Sequence, residues 1–422
     1  MNKILQNISE LNKKGFFHLI TSGIINKIIL FCSGIFLVKI LSKSEYGIYS
    51  YYQNILTFFL FINGFGIASG FFQFGSKNIE NKKKISYYKY SIKFSIFSSV
   101  VISLMIIIFS FNNKILIKGA QNYLLYISLL PFFYLVIDLI TIDQRIKFEN
   151  KKVAILSNAN TFILIIFLLI GAKYGGISGI ILGKYIGEIV TIILFFSFYK
   201  KIILEWKEID DISKDEKYEI NKFSFFSSIN SVIAQLLYVI DIFLIGVLIK
   251  DENIIANYKA ATLIPFALNF IPQTISNYFY PYFSKNYKNK EYIKDKYKKM
   301  FKYNLLLNIV ITLLLIIFSN LIIKILFGNR YIDSIYLFRI FSVCYFFAST
   351  FRIPAGYILS AIGSLKYITY NSFICGILNV TLDIVMIRKY GVYGAALVTL
   401  IIFILSGILS NLFLIKILKN KI

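Results

Sequence analysis

Long apolar segments recur along the whole of this sequence and limit what it can fold into. Of its 422 residues, 57% are hydrophobic and only 16% are charged, a composition that soluble domains do not have. The apolar residues are gathered in blocks of about 20 or more, which is the length that a helix needs to cross a bilayer. The sequence therefore predicts an all-α polytopic membrane protein.

The blocks number about twelve, and basic residues orient them. The predicted transmembrane helices lie at roughly 16–41, 47–74, 94–111, 120–142, 153–172, 176–198, 223–249, 256–284, 303–326, 333–361, 367–387 and 391–415. Lysine and arginine are concentrated in connections that follow even-numbered helices, such as those at 77–93 and 285–302. Because positively charged connections stay in the cytoplasm, we predict that both termini are cytoplasmic. The net charge of +25 is split among these short connections, which argues against a nucleic-acid-binding face.

A sequence repeat divides the chain into two halves. The Ile-Phe-Leu at 35–37 returns about 208 residues later at 242–244, and further matches follow in the same order. Six helices per half is an even number, so the sequence predicts two parallel six-helix lobes that enclose a cavity, as in transporters. We place the lobes at 1–200 and 222–422, joined by a mixed-charge cytoplasmic linker at 201–221.

Three basic residues inside the apolar segments are candidates for substrate binding, because charges in a membrane are costly and usually functional. Lys27, which follows Asn26 in the first segment, and Arg352 in the tenth lie too deep to reach the membrane surface easily. We interpret them as cavity-facing, with an interhelical ion pair as the alternative. Lys259 lies nearer the outer face of the eighth segment.

Four further charges inside apolar segments have two readings each. Lys184 and Glu188 are four residues apart in the sixth segment, so mutual pairing on one helix face is favoured over a substrate role. Asp241 and Asp383 lie in the outer parts of the seventh and eleventh segments. Asp241 could bind a coupling ion or act as counter-ion for a cation in the cavity.

Helix-breaking residues are concentrated in two segments that correspond in the repeat. Pro265, Pro272 and Pro281 all lie in the eighth segment, while Gly64 and Gly66 lie in the second. We expect them to kink helices that line the cavity and move as gates. Ordinary packing kinks are the alternative.

Most enzymatic sites are excluded by the residues present. The chain has one histidine and neither a Walker loop nor a Cys-x-x-Cys pair, so no His-based metal site or ATP motor is expected. Its three cysteines fall inside apolar segments. The connections on the outer side are too short to hold a catalytic site. We therefore predict a protein that is not an enzyme and has no cofactor beyond a coupling Na⁺ or H⁺.

Four motifs resemble those of a known family. They are LSKSEYGIY at 41–49, IDIFLIG with NYKAA at 240–261, LFGNRY at 326–331 and KYGVYGAALVT at 389–399. Their order and spacing are similar to the polysaccharide transporter branch of the multidrug/oligosaccharidyl-lipid/polysaccharide (MOP) exporter superfamily. That branch includes the Wzx flippases for O-antigen and capsule repeat units, and the MurJ and MATE transporters are relatives.

The resemblance implies a flippase of the bacterial cytoplasmic (inner) membrane. It would move undecaprenyl-pyrophosphate-linked oligosaccharide across the bilayer by alternating access, with the pyrophosphate held near Lys27, Arg352 and Lys259. The surplus of basic over acidic residues inside the membrane favours an anionic substrate. Its partners would be the lipid-linked oligosaccharide, membrane lipids, a polysaccharide polymerase and glycosyltransferases. The alternative is a MATE-like antiporter for small cations, in which Asp241, Glu188 or Asp383 binds Na⁺ or H⁺; a membrane polymerase or acyltransferase is a third hypothesis.

Overall fold

A computed structural model describes residues 16–77, 80–112, 116–204, 206–236 and 239–419, and helix is their only regular secondary structure. The helices of the first part are α1 (Phe16–Ile40), α2 (Lys43–Phe61), α3 (Ile67–Gly75), α4 (Asn81–Ser110), α5 (Ala120–Tyr126), α6 (Leu130–Ile146), α7 (Asn150–Leu194), α8 (Phe196–Leu204) and α9 (Lys214–Leu236). Those of the second are α10 (Ile240–Leu248), α11 (Glu252–Ala267), α12 (Phe270–Lys285), α13 (Lys290–Ile317), α14 (Ser319–Leu326), α15 (Ser334–Phe347), α16 (Ile353–Ala361), α17 (Leu365–Tyr390) and α18 (Val392–Lys419). The predicted all-α class is confirmed.

Nine helical stretches among the described residues are long and apolar enough to cross a membrane. The count becomes ten if α5 and α6, which meet at a bend of 45°, form one broken span. One of the nine is α7, whose 45 residues are far more than the roughly 20 that one crossing needs. Residues 237 and 238, in the predicted seventh span, lie outside the described residues, so the count of twelve stays a prediction.

The long helix α7 folds back on itself at a glycine. Gly176 has φ 53° and ψ −135°, a left-handed conformation that interrupts the helix. Beyond it the two arms pack so closely that a Cβ atom added to Gly171 would lie 2.0 Å from the carbonyl oxygen of Gly179. The same distance separates a Cβ added to Gly179 from the Gly171 oxygen. α7 therefore contains two antiparallel arms, which glycine allows to approach backbone to backbone.

The chain forms two compact units that do not coincide with a single cut along the sequence. The first contains the chain up to Leu41 together with Ile55–Val232, and the second contains Ser42–Asn54 together with the chain from Ile233 onward. Helix α2 therefore begins in the second unit and ends in the first. The predicted lobe boundaries at 201–221 remain a prediction.

In the first unit, α1 packs along α7, and α4 packs against α3 and α6. The aromatic rings of Phe71 and Tyr88 stack at 5.1 Å in a core between α3 and α4. Ile212 and Ile220 are buried in the same core, although they belong to the predicted linker and its continuation into α9. The charged connection is thus docked by apolar contacts and is not simply solvated.

Ion pairs add to this docking. The Lys93 ammonium lies 3.1 Å from Oδ1 of Asp211, and Lys89 donates a hydrogen bond of 2.6 Å to the Ile209 carbonyl. The hydrogen bond from Lys93 lowers the pKa of Asp211, with smaller contributions from Lys89. Burial alone would raise the pKa of Glu216, but bonds from Lys83 and Ser213 outweigh it and lower the pKa to about 2. Both carboxylates are therefore charged at neutral pH, which favours docking.

In the second unit, the start of α2 is held by close contacts that two glycines permit. A Cβ on Gly47 would lie 1.8 Å from the Glu252 carbonyl oxygen, and one on Gly246 would lie 1.9 Å from the Tyr51 ring. Lys43 also forms a salt bridge of 3.3 Å with Asp333. These contacts explain why residues 42–54 belong with the second unit.

We expect Gly179→Ala to destabilise the protein by about 1–3 kcal/mol, because the added methyl group would overlap the Gly171 carbonyl. The melting temperature of the detergent-solubilised protein measures the loss. Gly175→Ala is the matched control, since a Cβ there meets no atom within 4 Å; it should be neutral or stabilise by up to about 1 kcal/mol. Equal melting temperatures for the two variants would contradict the antiparallel packing of the arms.

Candidate functional site

A polar cavity of about 470 Å³ lies within the second unit. Thirteen residues line it: twelve are on helices α12, α16, α17 and α18, and the other, Arg352, directly precedes α16 and is the only charged one. The polar members of the lining are Gln273, Asn277, Tyr280, Arg352, Tyr357, Ser360, Asn371, Ser372, Ser406 and Ser410. A cavity lined by hydroxyl and amide groups inside an apolar helical unit is suited to a hydroxyl-rich ligand with an anionic group.

Arg352 is fixed at the wall of this cavity by its surroundings. It is the last residue of a π-helical turn, Ala348–Arg352, between α15 and α16. Its guanidinium carbon lies 5.1 Å from the centre of the Phe403 ring, a cation–π distance. Asn371 on α17 links two other parts of the wall, because its amide donates to α18 at Ser406 Oγ (3.1 Å) and Ser410 Oγ (2.8 Å). The predicted substrate residue Arg352 therefore does line a polar cavity.

The same unit contains a buried pair of carboxylates. Asp241 Oδ2 accepts hydrogen bonds of 2.5 Å from both the Tyr258 hydroxyl and the Thr399 hydroxyl. The amide of Asn379 donates to Asp383 Oδ2 at 3.0 Å and approaches Asp241 Oδ1 at 3.5 Å. The structure thus brings Asp241 and Asp383, predicted separately from the sequence, into one network.

Oxygen atoms dominate this network. Asp383 is fully buried, and its Oδ1 accepts no hydrogen bond from the described residues. No described Lys or Arg forms a salt bridge with either Asp241 or Asp383. Two carboxylates with two hydroxyl oxygens nearby form the kind of oxygen donor set that hard cations prefer, whereas Asn379 presents its N–H group to the carboxylates. The residues present therefore fit a monovalent cation, although no cluster of three or more His, Cys, Asp or Glu occurs in the described chain.

Lys184 and Glu188 lie on the second arm of α7, in the first unit. Both are buried, and neither carboxylate oxygen of Glu188 accepts a hydrogen bond from the described residues. The two residues are one helical turn apart, and their mutual pairing stays a prediction. Their role in ion coupling remains a prediction.

The other predicted basic residues are on helices that do not line this cavity. Lys27 is exposed on α1 of the first unit, whereas Lys259 is half-buried on α11 of the second. Asn26 is used for helix packing, because its amide donates a hydrogen bond of 2.8 Å to Ser157 on α7. Substrate binding by these three residues remains a prediction.

Four of the five predicted kink residues lie at or near helix breaks. Between α2 and α3, Gly64 and Gly66 have φ angles of 67° and 76°, and a Cβ on Gly66 would lie 2.2 Å from the Ser224 carbonyl oxygen. Pro265 lies near the end of α11, and Pro272 lies in the first turn of α12. Pro281 lies inside α12 without ending it. Movement at these breaks is not tested by the structure.

Comparison with known proteins identifies the family. A family model described as "Polysaccharide biosynthesis protein" matches residues 36–336, which is more than half of the chain. The chain belongs to this family. A search of curated proteins gives no match.

Solved structures share the fold of this polysaccharide biosynthesis protein. The lipid II flippase MurJ in an inward closed conformation matches with a TM-score of 0.76 and 19% identity, over 95% of this chain and 87% of that one. An inward-facing multidrug resistance MATE transporter of the MOP superfamily gives 0.75 and 13%, over 93% and 94%. A MOP superfamily transporter from Pyrococcus furiosus gives 0.63 and 12%, over 97% and 96%. The resemblance to the MOP superfamily is confirmed, and the protein is a multi-pass membrane protein with this fold.

Several residues of these sites were not identified from the sequence. Asn379 and Thr399 join the carboxylate network, and Asn371 orders the cavity wall. A signal was present, because Asn371, Asn379 and Asp383 recur at spacings of eight and four residues on one face of the apolar helix α17. A search for uncharged polar residues at helical spacing inside the apolar segments would have identified Asn371 and Asn379 as candidates.

We expect Tyr258→Phe to lower stability by about 1–3 kcal/mol, because the substitution keeps the ring and leaves buried Asp241 without one donor. Thermal unfolding in detergent measures the effect. Tyr303→Phe is the control, since Tyr303 is 73% exposed and its change should stay within about 0.5 kcal/mol. A Tyr258→Phe protein as stable as the control would show that the hydroxyl is not a partner that Asp241 needs.

Proposed function

We propose that this protein is a flippase that moves undecaprenyl-pyrophosphate-linked oligosaccharide repeat units across the bacterial cytoplasmic membrane by alternating access. The observation that carries the proposal is the polar cavity around Arg352 in a protein of this family and fold. The proposal includes twelve transmembrane helices in two six-helix lobes with cytoplasmic termini. Its product would supply surface polysaccharide such as O-antigen, capsule or lipopolysaccharide, as with Wzx proteins.

The chemistry of the cavity supports this substrate class. Sugar hydroxyls and pyrophosphate cannot enter hydrocarbon without replacing their hydrogen bonds to water. The amides and hydroxyls of the cavity wall can replace those of the sugar, and the Arg352 guanidinium can hold an anionic oxygen with charge-assisted hydrogen bonds. Lys27 and Lys259 would share the charge of the pyrophosphate, while the lipid tail stays in the bilayer.

The proposed transport changes no covalent bond of the substrate. Family and fold are those of membrane transporters, which favours a protein that is not an enzyme. Glycosyltransferases would assemble the substrate before transport, and a polymerase would use it afterwards. These enzymes are the partners that we propose.

We expect Arg352→Ala to reduce flipping of a fluorescent undecaprenyl-pyrophosphate oligosaccharide in proteoliposomes by about tenfold or more, because one charge-assisted contact is worth about 1.5–3 kcal/mol. Lys27→Ala should also reduce it. Arg339→Ala is the matched control, since Arg339 donates to Ser319 on α14 and does not line the cavity. Unchanged flipping by Arg352→Ala, at equal protein amounts, would contradict the cavity assignment.

The carboxylate pair favours coupling to a cation. We propose that Asp241 and Asp383, with Asn379 and Thr399, bind the Na⁺ or H⁺ that drives the transport cycle. The same pair also favours the second candidate function, a MATE-like antiporter for small cations. Uptake of cationic dyes into proteoliposomes distinguishes the two, because a flippase would move only the lipid-linked sugar.

If Na⁺ is the coupling ion, NaCl should raise the melting temperature relative to choline chloride, since a ligand that binds only the folded state stabilises it. Asp383→Asn should abolish this difference. Asp333→Asn, which alters a carboxylate whose side chain is 73% exposed, should retain it. A pH response that Asp383→Asn removes, without a response to Na⁺, would assign the coupling to H⁺, and the absence of both responses at this pair would contradict coupling there.

A further inference from the structure

The wall of the cavity contains a helical turn of unusual winding. In the turn Ala348–Arg352 the amide of Ile353 donates to the carbonyl of Ala348, five residues back. The next residue is Pro354, which has no N–H. The Ser349 carbonyl, which the next bond of the same winding would use, therefore has no backbone donor at position 354. Such π-turns are rare and often occur at functional sites.

Side-chain amides from neighbouring helices donate hydrogen bonds to two carbonyls and one hydroxyl of this turn. Asn304 on α13 donates a hydrogen bond of 2.9 Å to the Ser349 carbonyl, and Asn411 on α18 donates one of 2.9 Å to the Phe351 carbonyl. Asn308, one turn after Asn304, donates to the Thr350 hydroxyl at 3.1 Å. The turn is thus held from two sides by three asparagines.

These amides favour the wide turn over an ordinary α-turn. Asn304 and Asn308 are 2% and 0% exposed, so their polar groups depend on partners within the protein. Tyr345 adds a hydrogen bond of 3.0 Å to Asn308 Oδ1, which fixes the orientation of that amide. A regular α-turn would place its carbonyls differently and would leave buried amides unpaired, at a cost of about 1–3 kcal/mol each.

The winding determines which side of α16 faces the cavity. One extra residue in a turn rotates everything after it by about 100° relative to an uninterrupted α-helix. The cavity residues Arg352, Gly356, Tyr357 and Ser360 all lie at or after the turn. Without the extra residue, this set would rotate away from the side that it now presents.

We propose that Asn304, Asn308 and Asn411 are positioning residues, which hold the π-turn open so that Arg352 and the cavity side of α16 face the substrate. The identity of the substrate in this inference rests on the proposed function, whereas the orientation of Arg352 and α16 does not. Two measurements on the purified full-length protein in detergent therefore test the two parts separately.

The first measurement follows the orientation of α16. In a background with Cys32, Cys344 and Cys375 replaced by alanine, Ser360→Cys places a thiol in the cavity wall, and a charged methanethiosulfonate reagent labels it. Adding Asn304→Ala should slow labelling about tenfold, because α16 rotates. Ser372→Cys on α17 is the matched control, since it lines the same cavity without following the turn, and its labelling should not change.

The second measurement is binding of undecaprenyl pyrophosphate at a temperature well below unfolding of every variant. Asn304→Ala should weaken binding about tenfold, and Asn411→Ala should act in the same direction from the other side of the turn. In an Arg352→Ala background, Asn304→Ala should have a smaller effect than in the wild-type background, because part of its effect acts through Arg352. Asn257→Ala controls for the loss of a buried amide, since Asn257 bonds Ser334 away from the turn.

The outcomes separate the inference from the proposed function. Unchanged labelling of Ser360→Cys after addition of Asn304→Ala would overturn the positioning role. Slower labelling supports it even if wild-type protein does not bind the lipid, which would instead contradict the proposed ligand. Loss of binding in Arg352→Ala but not in Asn304→Ala or Asn411→Ala would also overturn the positioning role and leave the proposed function intact.

Discussion

Polar side chains within the apolar helices must find their partners inside the protein, because hydrocarbon offers none. In the second unit, large apolar residues such as Ile317 and Val385 are exposed, whereas Asn308, Asn379 and Asp383 are fully or almost fully buried. The second unit therefore concentrates its hydrogen bonds in its interior, where the cavity, the carboxylate pair and the π-turn all lie. Each of these features is a different way to satisfy the same requirement.

The two sites of the second unit have opposite charge and share helices. Helix α17 contributes Asn371 to the cavity wall and Asp383 to the carboxylate pair, and α18 contributes Ser410 to the first and Thr399 to the second. A helix transmits displacement along its length as a nearly rigid body. An ion bound by the carboxylates would thus act on the same two helices that line the wall around the cationic cavity.

The length and composition of the apolar segments were sufficient to predict the all-helical membrane fold, because a bilayer sets the length of the helices that cross it. The orientation drawn from Lys and Arg stays a prediction. The break in α7 at Gly176 agrees with the two segments predicted separately at 153–172 and 176–198, but the close contact of Gly171 with Gly179 across it was not predicted. The sequence marked Arg352, Asp241 and Asp383 as costly charges but not their partners, because a partner lies on another helix. The π-turn was not predicted either, since one extra residue barely alters a hydrophobic pattern.

The assignment of residues 42–54 to the second unit affects how the protein can be divided. Cutting the chain at the central connection would leave this stretch on the N-terminal fragment, while Asp333 and Glu252, which it contacts, would be on the other. Each fragment would then lack part of one folded unit. The two compact units therefore alternate along the sequence and do not coincide with the two halves that the sequence repeat indicates. Neither half should fold to completion when expressed alone.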